Sequence, residues 1–282
     1  MDDTVLSVCL ITYNHEKFIK GAIEGVLNQK VNFSWNLIIA DDCSTDGTRE
    51  ILLDYQAKYP DFIHLILQER NVGPAKNWID LITYPQSKYI AYFEGDDYWT
   101  DHLKLQKQVD VMEANEDFSM CFHNAIIKDE DKAIEDKLFC NGFENLQVFT
   151  IRDVILKNWF CPSVSIVYRN DRLKLPKWAS KIYNGDLLMH LLFSSNGNIV
   201  YLNESMAVYR QSIGNLTSKK KSIAFYNNRL INLLLKFNKY TNYRYTLDIN
   251  RRIGQLYLKT IYSMILYVIS KAKQLKFKPA GN

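Results

Sequence analysis

The chain has 282 residues, 47% hydrophobic and 23% charged, with five cysteines and a formal net charge of +4. That size and balance give one large globular domain, or one and a half average ones, and exclude a disordered, fibrous or disulfide-stapled chain. Cys9, Cys43, Cys121, Cys140 and Cys161 are odd in number, far apart and without a CxxC pair, so reduced thiols in a cytosolic protein are expected.

The start, "MDDTVLSVCLITYN", is acidic where a signal peptide is basic, so no targeting segment is expected. The late apolar run 261–269 is shorter than the roughly 20 residues that cross a bilayer. The charge is unevenly spread. Residues 219–282 carry fourteen Lys and Arg against one acid, Asp248, a net +13, while the preceding residues hold 21 bases and 30 acids, a net −9.

"VLSVCLITYN" reads as a buried strand. "EKFIKGAIEGVLNQ" follows with Phe18, Ile19, Ala22, Ile23, Val26 and Leu27 at helical spacing. "NLIIADDCS" is a second strand. "DGTREILLDYQAKYP" is a second helix, with Ile51, Leu52, Tyr55 and Tyr59 on one face and Pro60 as its stop. "IHLILQE", "PAKNWIDLIT" and "KYIAYFEGDD" continue as strand, short helix and strand. This alternation predicts βαβ units on a mainly parallel sheet, an α/β fold. Beyond the amphipathic "DHLKLQKQVDVMEAN", strand-like pieces ("FSMCFHNAII", "SVSIVYR", "GNIVYL") and a helix, "DLLMHLLFSS", predict an α+β portion on the same sheet. No Gly/Ser/Pro linker separates the halves, so residues 1–218 are expected as one domain, with 1–100 and 101–218 as its two parts. Residues 219–282 are expected as two or three basic helices.

Sheets of this kind bind ligands beyond the carboxyl ends of their strands. Thr12, Tyr13 and Asn14 end the first strand, Asp41 and Asp42 the second, and Glu94, Asp96 and Asp97 the fourth. An Asp-Asp pair alone is ordinarily a polar turn, here with Asp97 capping the next helix. Two acidic pairs at neighbouring strand ends instead raise one another's pKa unless a cation joins them. Mg²⁺ or Mn²⁺ takes one or two carboxylates plus substrate phosphates, so the expected ligand is a metal–diphosphate. Neither GxxxxGK[ST] nor GxGxxG occurs. That argues against a P-loop NTPase or a dehydrogenase and towards a nucleotide-sugar user.

"VLSVCLITYN", "LIIADDCSTDGT", "ERNVGPAKN", "YIAYFEGDDYW" and "NGDLLMHLLFSSNGNIVYLNESMAVYR" together resemble the inverting family 2 glycosyltransferases of the GT-A fold, in order and spacing, over about residues 4 to 215. The resemblance is to bacterial members that build surface polysaccharides. It implies that Thr12, Tyr13 and Glu16 line the base and ribose. Asp42, with Asp41 beside it, would contact uracil, and Asn71, Gly73 and Asn77 would belong to the same pocket. Lys76 would reach the base or diphosphate. Asp97 is implied as the metal ligand and Asp96 as touching ribose or metal. Asp186 is implied as the base that takes the acceptor proton, and Arg210 as a diphosphate contact. The chain departs from the family pattern in having Glu94 for Asp, Gly185-Asp186 for Glu-Asp, and Gln211 and Ser212 where many relatives carry a His after "YR".

Beside the base role, Asp186 has the plain reading of a helix N-cap. His123 and His190 are read as structural. The implied donor is a UDP-sugar and the acceptor a saccharide or lipid-linked saccharide; a scaffold of the same fold that binds donor without turnover is the alternative. The basic tail suits an anionic membrane surface, at the inner face of the cell membrane, and equally suits packing on the acidic body or a homodimer. No recognition motif supports nucleic-acid binding.

Overall fold

In chain order the sheet-bearing part runs β1 (Leu6–Thr12), α1 (Ile19–Leu27), β2 (Trp35–Asp41), α2 (Thr48–Lys58), β3 (Ile63–Leu67), α3 (Pro74–Thr83), β4 (Tyr89–Glu94) and β5 (Tyr98–Trp99). It continues with α4 (Lys104–Ala114), β6 (Phe118–Asp129), β7 (Lys137–Leu138), β8 (Val148–Phe149), α5 (Ile151–Leu156), β9 (Ile166–Arg169), α6 (Gly185–Ser194) and β10 (Asn198–Gln211). The computed structural model describes residues 4–129, 137–143, 145, 147–157, 160–182, 185–211 and 222–276. Ser212, Lys219 to Lys221 and Lys278 lie outside them.

The sheet order is β3-β2-β1-β4-β9-β6-β10-β5. β1 pairs in parallel with β2 and β4, and β2 with β3, which makes the expected α/β half. Strands covered on both faces carry near-continuous apolar runs, which is why these were legible. α1 turns Ile19, Ala22, Ile23 and Val26 inward, the stripe a 3.6-residue period requires. It starts three residues after Glu16 because Asn14, at φ 56°, first reverses the chain. On α2 only Leu52 of the expected apolar face is fully buried. Tyr59 lies past the helix end and is exposed.

β9 joins β4 and β6 antiparallel, β10 runs parallel to β6, and β5 pairs antiparallel with β10. One core cluster takes residues from both halves, among them Leu10, Ile39 and Phe93 with Cys121, Val167 and Val200. Of "SVSIVYR", Ser163–Ser165 form a 3₁₀ turn and only Ile166–Arg169 a strand. "GNIVYL" is the opening of a strand fourteen residues long. Its polar middle, Asn203 to Ser205, is exposed and lies where the register with β6 shifts, so period-2 patterning stops there although the strand does not.

α4 buries a lysine. Lys104 has no exposed surface, its ammonium donates to Gln108 Oε1 at 2.7 Å, and it lies 4.0 Å from the centre of the Trp99 ring. Burial pulls its pKa down to about 7.

The chain forms two compact units, Met1–Ser218 and Lys219–Asn282. The second contains an antiparallel helix pair, α7 (Ile223–Tyr240) and α8 (Thr246–Lys276). The Ser222 hydroxyl caps α7 by accepting the Phe225 N–H at 3.2 Å. Asn227 Nδ2 donates across the pair to the Leu256 carbonyl at 3.1 Å and to Thr260 Oγ1 at 2.8 Å. Among the described residues no helix is long and apolar enough to cross a membrane.

Candidate active site

Register sets the site. Thr12 lies level with Asp41, and Ile11 with Glu94, so β1, β2 and β4 end at one rim. β1 is the strand from which the chain order departs in both directions, the place where open α/β sheets bind ligands.

The loops above β1 and β2 are woven together. The Asn14 N–H donates to Ser44 Oγ at 2.9 Å, and Asn14 Oδ1 accepts the Thr45 N–H at 2.8 Å. The His15 N–H reaches Thr48 Oγ1 at 2.8 Å, and the Glu16 N–H reaches Asp46 Oδ2 at 3.1 Å. Burial pushes Asp46 up, but the hydrogen bonds from Thr48 and Glu16 bring it below its ordinary value. "TYNHE" and "DDCSTDGT" therefore form one lip.

The paired aspartates of β2 do different work. Asp41 is fully buried and accepts Arg49 Nε at 2.7 Å, with Arg49 Nη2 at 2.6 Å. Asp42 accepts the Val72 N–H at 2.7 Å on one oxygen and the Gly73 N–H at 3.0 Å on the other, clipping the next loop to the rim. Burial lifts its pKa despite those two donors. Each Asp42 oxygen keeps a further lone pair for a ligand.

The turn after β4 needs its glycine. A Cβ on Gly95 would stand 3.0 Å from Thr12 Oγ1, His15 Nδ1 and Ile19 Cδ1. Asp96 and Asp97 follow, both buried. Asp97 caps no helix, since β5 follows it and pairs with Ala207 and Val208 of β10. That pairing brings Arg210 onto the acids. The Arg210 N–H donates to Asp97 Oδ1 at 2.8 Å, and Nη1 donates to the Asp96 carbonyl at 2.8 Å. The guanidinium lies 4.3 Å from the centre of the Tyr98 ring and 5.1 Å from that of Phe18.

Burial, then Asp96, lift Asp97 well above the usual carboxylate range, against the Arg210 N–H. Glu94 is open to solvent on one side, yet protein crowded around its carboxyl, with Asp96 and Asp186 beyond, pushes it up to about 8. Asp186 is the second residue of α6, inside the helix. Burial raises it, partly offset by the Leu187 N–H. It faces Glu94 and Tyr92 across the rim, and its charge reaches Tyr209, which also feels Glu94, Asp97 and Asp96.

Thr12, Asp41, Asp42, Asp96, Asp97 and Arg210 thus gather at one rim, and Asp186 lies within electrostatic reach of Glu94 there. Tyr13, Glu16 and Asn71 are exposed at its edge. Lys76 pairs with Asp80 one helical turn along α3. Sequence reading missed His15, Arg49 and Tyr209. His15 and Arg49 stand beside motif residues, whereas Tyr209 carried no signal, because the length of β10 was hidden. His15 hydrogen-bonds Thr12 Oγ1 at 3.2 Å; burial lowers its pKa against the pull of Asp96, Asp46 and Asp41.

The family profile described as "Glycosyl transferase family 2" matches residues 7–173. An uncharacterised protein of Mycobacterium tuberculosis is 36% identical over 211 residues, which cover 73% of this chain and 58% of that protein. The chain therefore spans less than two thirds of that relative's length. TuaG of Bacillus subtilis, a putative teichuronic acid biosynthesis glycosyltransferase, is 30% identical over 218 residues, 77% of this chain and 82% of TuaG. Among solved structures, S. aureus TarS in complex with UDP-GlcNAc superposes with a TM-score of 0.65 at 18% identity, covering 97% of this chain and 76% of that one. At that identity the likeness is one of fold, and it is the GT-A-type fold expected above. With the family profile covering more than half of its length, the chain belongs to glycosyl transferase family 2.

Proposed function

We propose that this chain transfers a sugar from a UDP-sugar to an acceptor hydroxyl, with inversion, in the synthesis of a cell-surface polysaccharide. The observation that carries the reading is the meeting of Asp96, Asp97 and Arg210 at the end of β4, with Asp186 facing them across Glu94. TarS holding UDP-GlcNAc supports the donor class, and the name of TuaG supports the polysaccharide.

Residues 1–218 are the catalytic domain in this reading. Thr12, Tyr13, Glu16, Asp41, Asp42 and Asn71 border the base and ribose, with Asp42 offering its remaining lone pairs to a base N–H. Lys76 reaches the donor only by leaving Asp80. Arg210 points its guanidinium at the diphosphate, held flat by Tyr98 and Phe18.

The rim suits a hard divalent ion, Mn²⁺ or Mg²⁺. Asp97 and Asp96 are crowded like charges that a cation relieves. No group of three or more His, Cys, Asp or Glu able to hold a metal occurs among the described residues, and Asp97 and Asp96 are the carboxylates that would hold the ion beside the donor phosphates. When bound, the ion supplies Lewis-acid stabilisation of the charge on the departing diphosphate. Asp186 takes the proton of the acceptor hydroxyl as that oxygen attacks the anomeric carbon from the face opposite the diphosphate, and a single displacement inverts the configuration. Burial makes Asp186 a stronger base than a solvated carboxylate.

The acceptor is a lipid-linked saccharide in this reading, and residues 219–282 rest on the inner face of the cell membrane. α8 exposes Leu258, Ile261, Tyr262 and Ile265, at 50–70%, within a segment of net charge +13. Apolar and tyrosine side chains amid lysine and arginine suit an anionic lipid interface.

UDP release from a panel of UDP-sugars with Mn²⁺ tests the activity, with Asp186→Asn and Asp97→Asn each expected to lose at least about a hundredfold. Full activity in both variants sinks the site assignment. UDP binding without release from any donor supports the scaffold alternative. Co-sedimentation with phosphatidylglycerol but not phosphatidylcholine vesicles tests the membrane partner, and a concentration-dependent dimer that ignores vesicles refutes it.

A further inference from the structure

A cavity of about 20 Å³ lies against Asp186 inside the first unit. Trp78 of α3, Tyr92 of β4, Ser163, Tyr168 of β9 and His190 of α6 line it with Asp186. One water molecule needs a cavity of about 10–15 Å³, together with two to four polar partners. Its wall is mostly apolar, with Met120, Ile166, Met189 and Phe193, and the polar partners are Tyr168, His190 and Asp186. Tyr168 Oη and His190 Nε2 have no protein hydrogen-bond partner among the described residues, although Tyr168 is 1% and His190 2% exposed. Buried polar groups of native folds are nearly always satisfied, by water where protein does not reach. Both side chains are fixed. The Tyr168 ring stacks on Phe193 at 4.2 Å between centres, and His190 sits one helical turn after Asp186.

We propose that this cavity binds one water molecule, held by Tyr168 and His190, which hydrogen-bonds the Asp186 carboxylate and makes those two side chains positioning residues for the base. The water accepts the Tyr168 O–H and donates one hydrogen to His190 Nε2 and the other to Asp186, so the two unpartnered atoms of the cavity are both paired. Among the described residues, the titratable groups near Asp186 are Glu94 and Tyr92 from β4, Tyr209 from β10, Cys161 from the segment before β9 and His190 from its own helix. Burial keeps the tyrosines and the thiol protonated, and burial brings His190 to about 4, so both positioning residues are neutral at working pH. They act on Asp186 through hydrogen bonds and not through charge. The proposal rests on the reading of Asp186 as the base.

The test starts with a measurement that needs no turnover. The ¹³C resonance of the Asp186 carboxyl, assigned by its loss in Asp186→Asn, is titrated in the parent, Tyr168→Phe, His190→Leu and His190→Gln. Tyr168→Phe and His190→Leu are expected to move its midpoint up by about half a unit to one unit, because the carboxylate loses a donor. His190→Gln, whose amide reaches the same water, is expected to restore it. Tyr168→Phe is also expected to lower the melting temperature. A dry cavity predicts the reverse: an unmoved midpoint and a higher melting temperature once the unpaired hydroxyl is gone, and that result overturns the proposal. In turnover, the acid limb of kcat/KM is expected to follow the same shift, about three- to tenfold at fixed pH, with the donor KM unchanged. A midpoint that moves while the acid limb stays fixed keeps the water site and removes Asp186 as the base.

Discussion

Replacing Asp97 with Asn separates what this carboxylate does for the fold from what it does for a ligand. Asn keeps an oxygen to accept the Arg210 N–H, now at 2.8 Å. It removes a charge that is 2% exposed and crowded by Asp96 and Glu94. Without ligand the variant is therefore expected to melt at the parent's temperature or above it. With Mn²⁺ and UDP at about 100 times Kd, binding adds about 2.7 kcal/mol to the parent. For a unit of this size that is a rise of roughly 5–10 °C. A charged hydrogen-bonding or coordinating group is worth about 1.5–3 kcal/mol, so most of the rise is expected to vanish in the variant. Thermal melts with and without Mn²⁺–UDP, and with EDTA as the control, give both numbers. A variant that melts several degrees low without ligand, or that keeps the parent's full rise with it, refutes the reasoning.

Gly95→Ala is expected to cost about 1–3 kcal/mol, read by urea unfolding, because the new methyl meets three atoms of the β1 rim and α1 at 3.0 Å. Lys104 has a folded pKa of about 7, below its unfolded 10.5, so across that window the unfolded chain holds more protons and stability rises with pH. Lys104→Met is expected to flatten that rise and to stabilise the protein near pH 7. The shift sets a ceiling of about 5 kcal/mol, and the lost Gln108 bond and Trp99 contact reduce the gain to about 1–3 kcal/mol. Arg210→Lys loses the planar stack on Tyr98 and the fork of donors, and UDP affinity by calorimetry is expected to fall about tenfold.

The parallel half of the fold was legible because its strands are buried on both faces and its helices on one, which prints two different periods along the chain. The acidic rim was legible for a related reason. Charge following an apolar run has little purpose in a core, and the order of "DDCSTDGT" and "GDDYW" added the family resemblance. β10 was not legible beyond Leu202, since its exposed Asn203 to Ser205 look like a loop. Tyr209 therefore went unnoticed, and Arg210 entered only by resemblance. Lys76 shows the opposite limit: its position in the motif suggested a ligand, while local helix geometry gave it Asp80.

From the amino-acid order alone come the alternation of strand and helix, the acids at the strand ends, the glycine between Glu94 and Asp96, and the division between an acidic body and a basic tail. These are properties of short segments, in which neighbours along the chain are also neighbours in space. Tertiary structure alone decided that Asp41 spends its charge on Arg49, that Asp42 clips the loop at Val72 and Gly73, and that residues 113 positions apart, Asp97 and Arg210, share a hydrogen bond. It also set Tyr168 and His190 against one small cavity beside Asp186. Each of these depends on strand register, and register follows from how the whole sheet closes over its core, which no window of sequence contains.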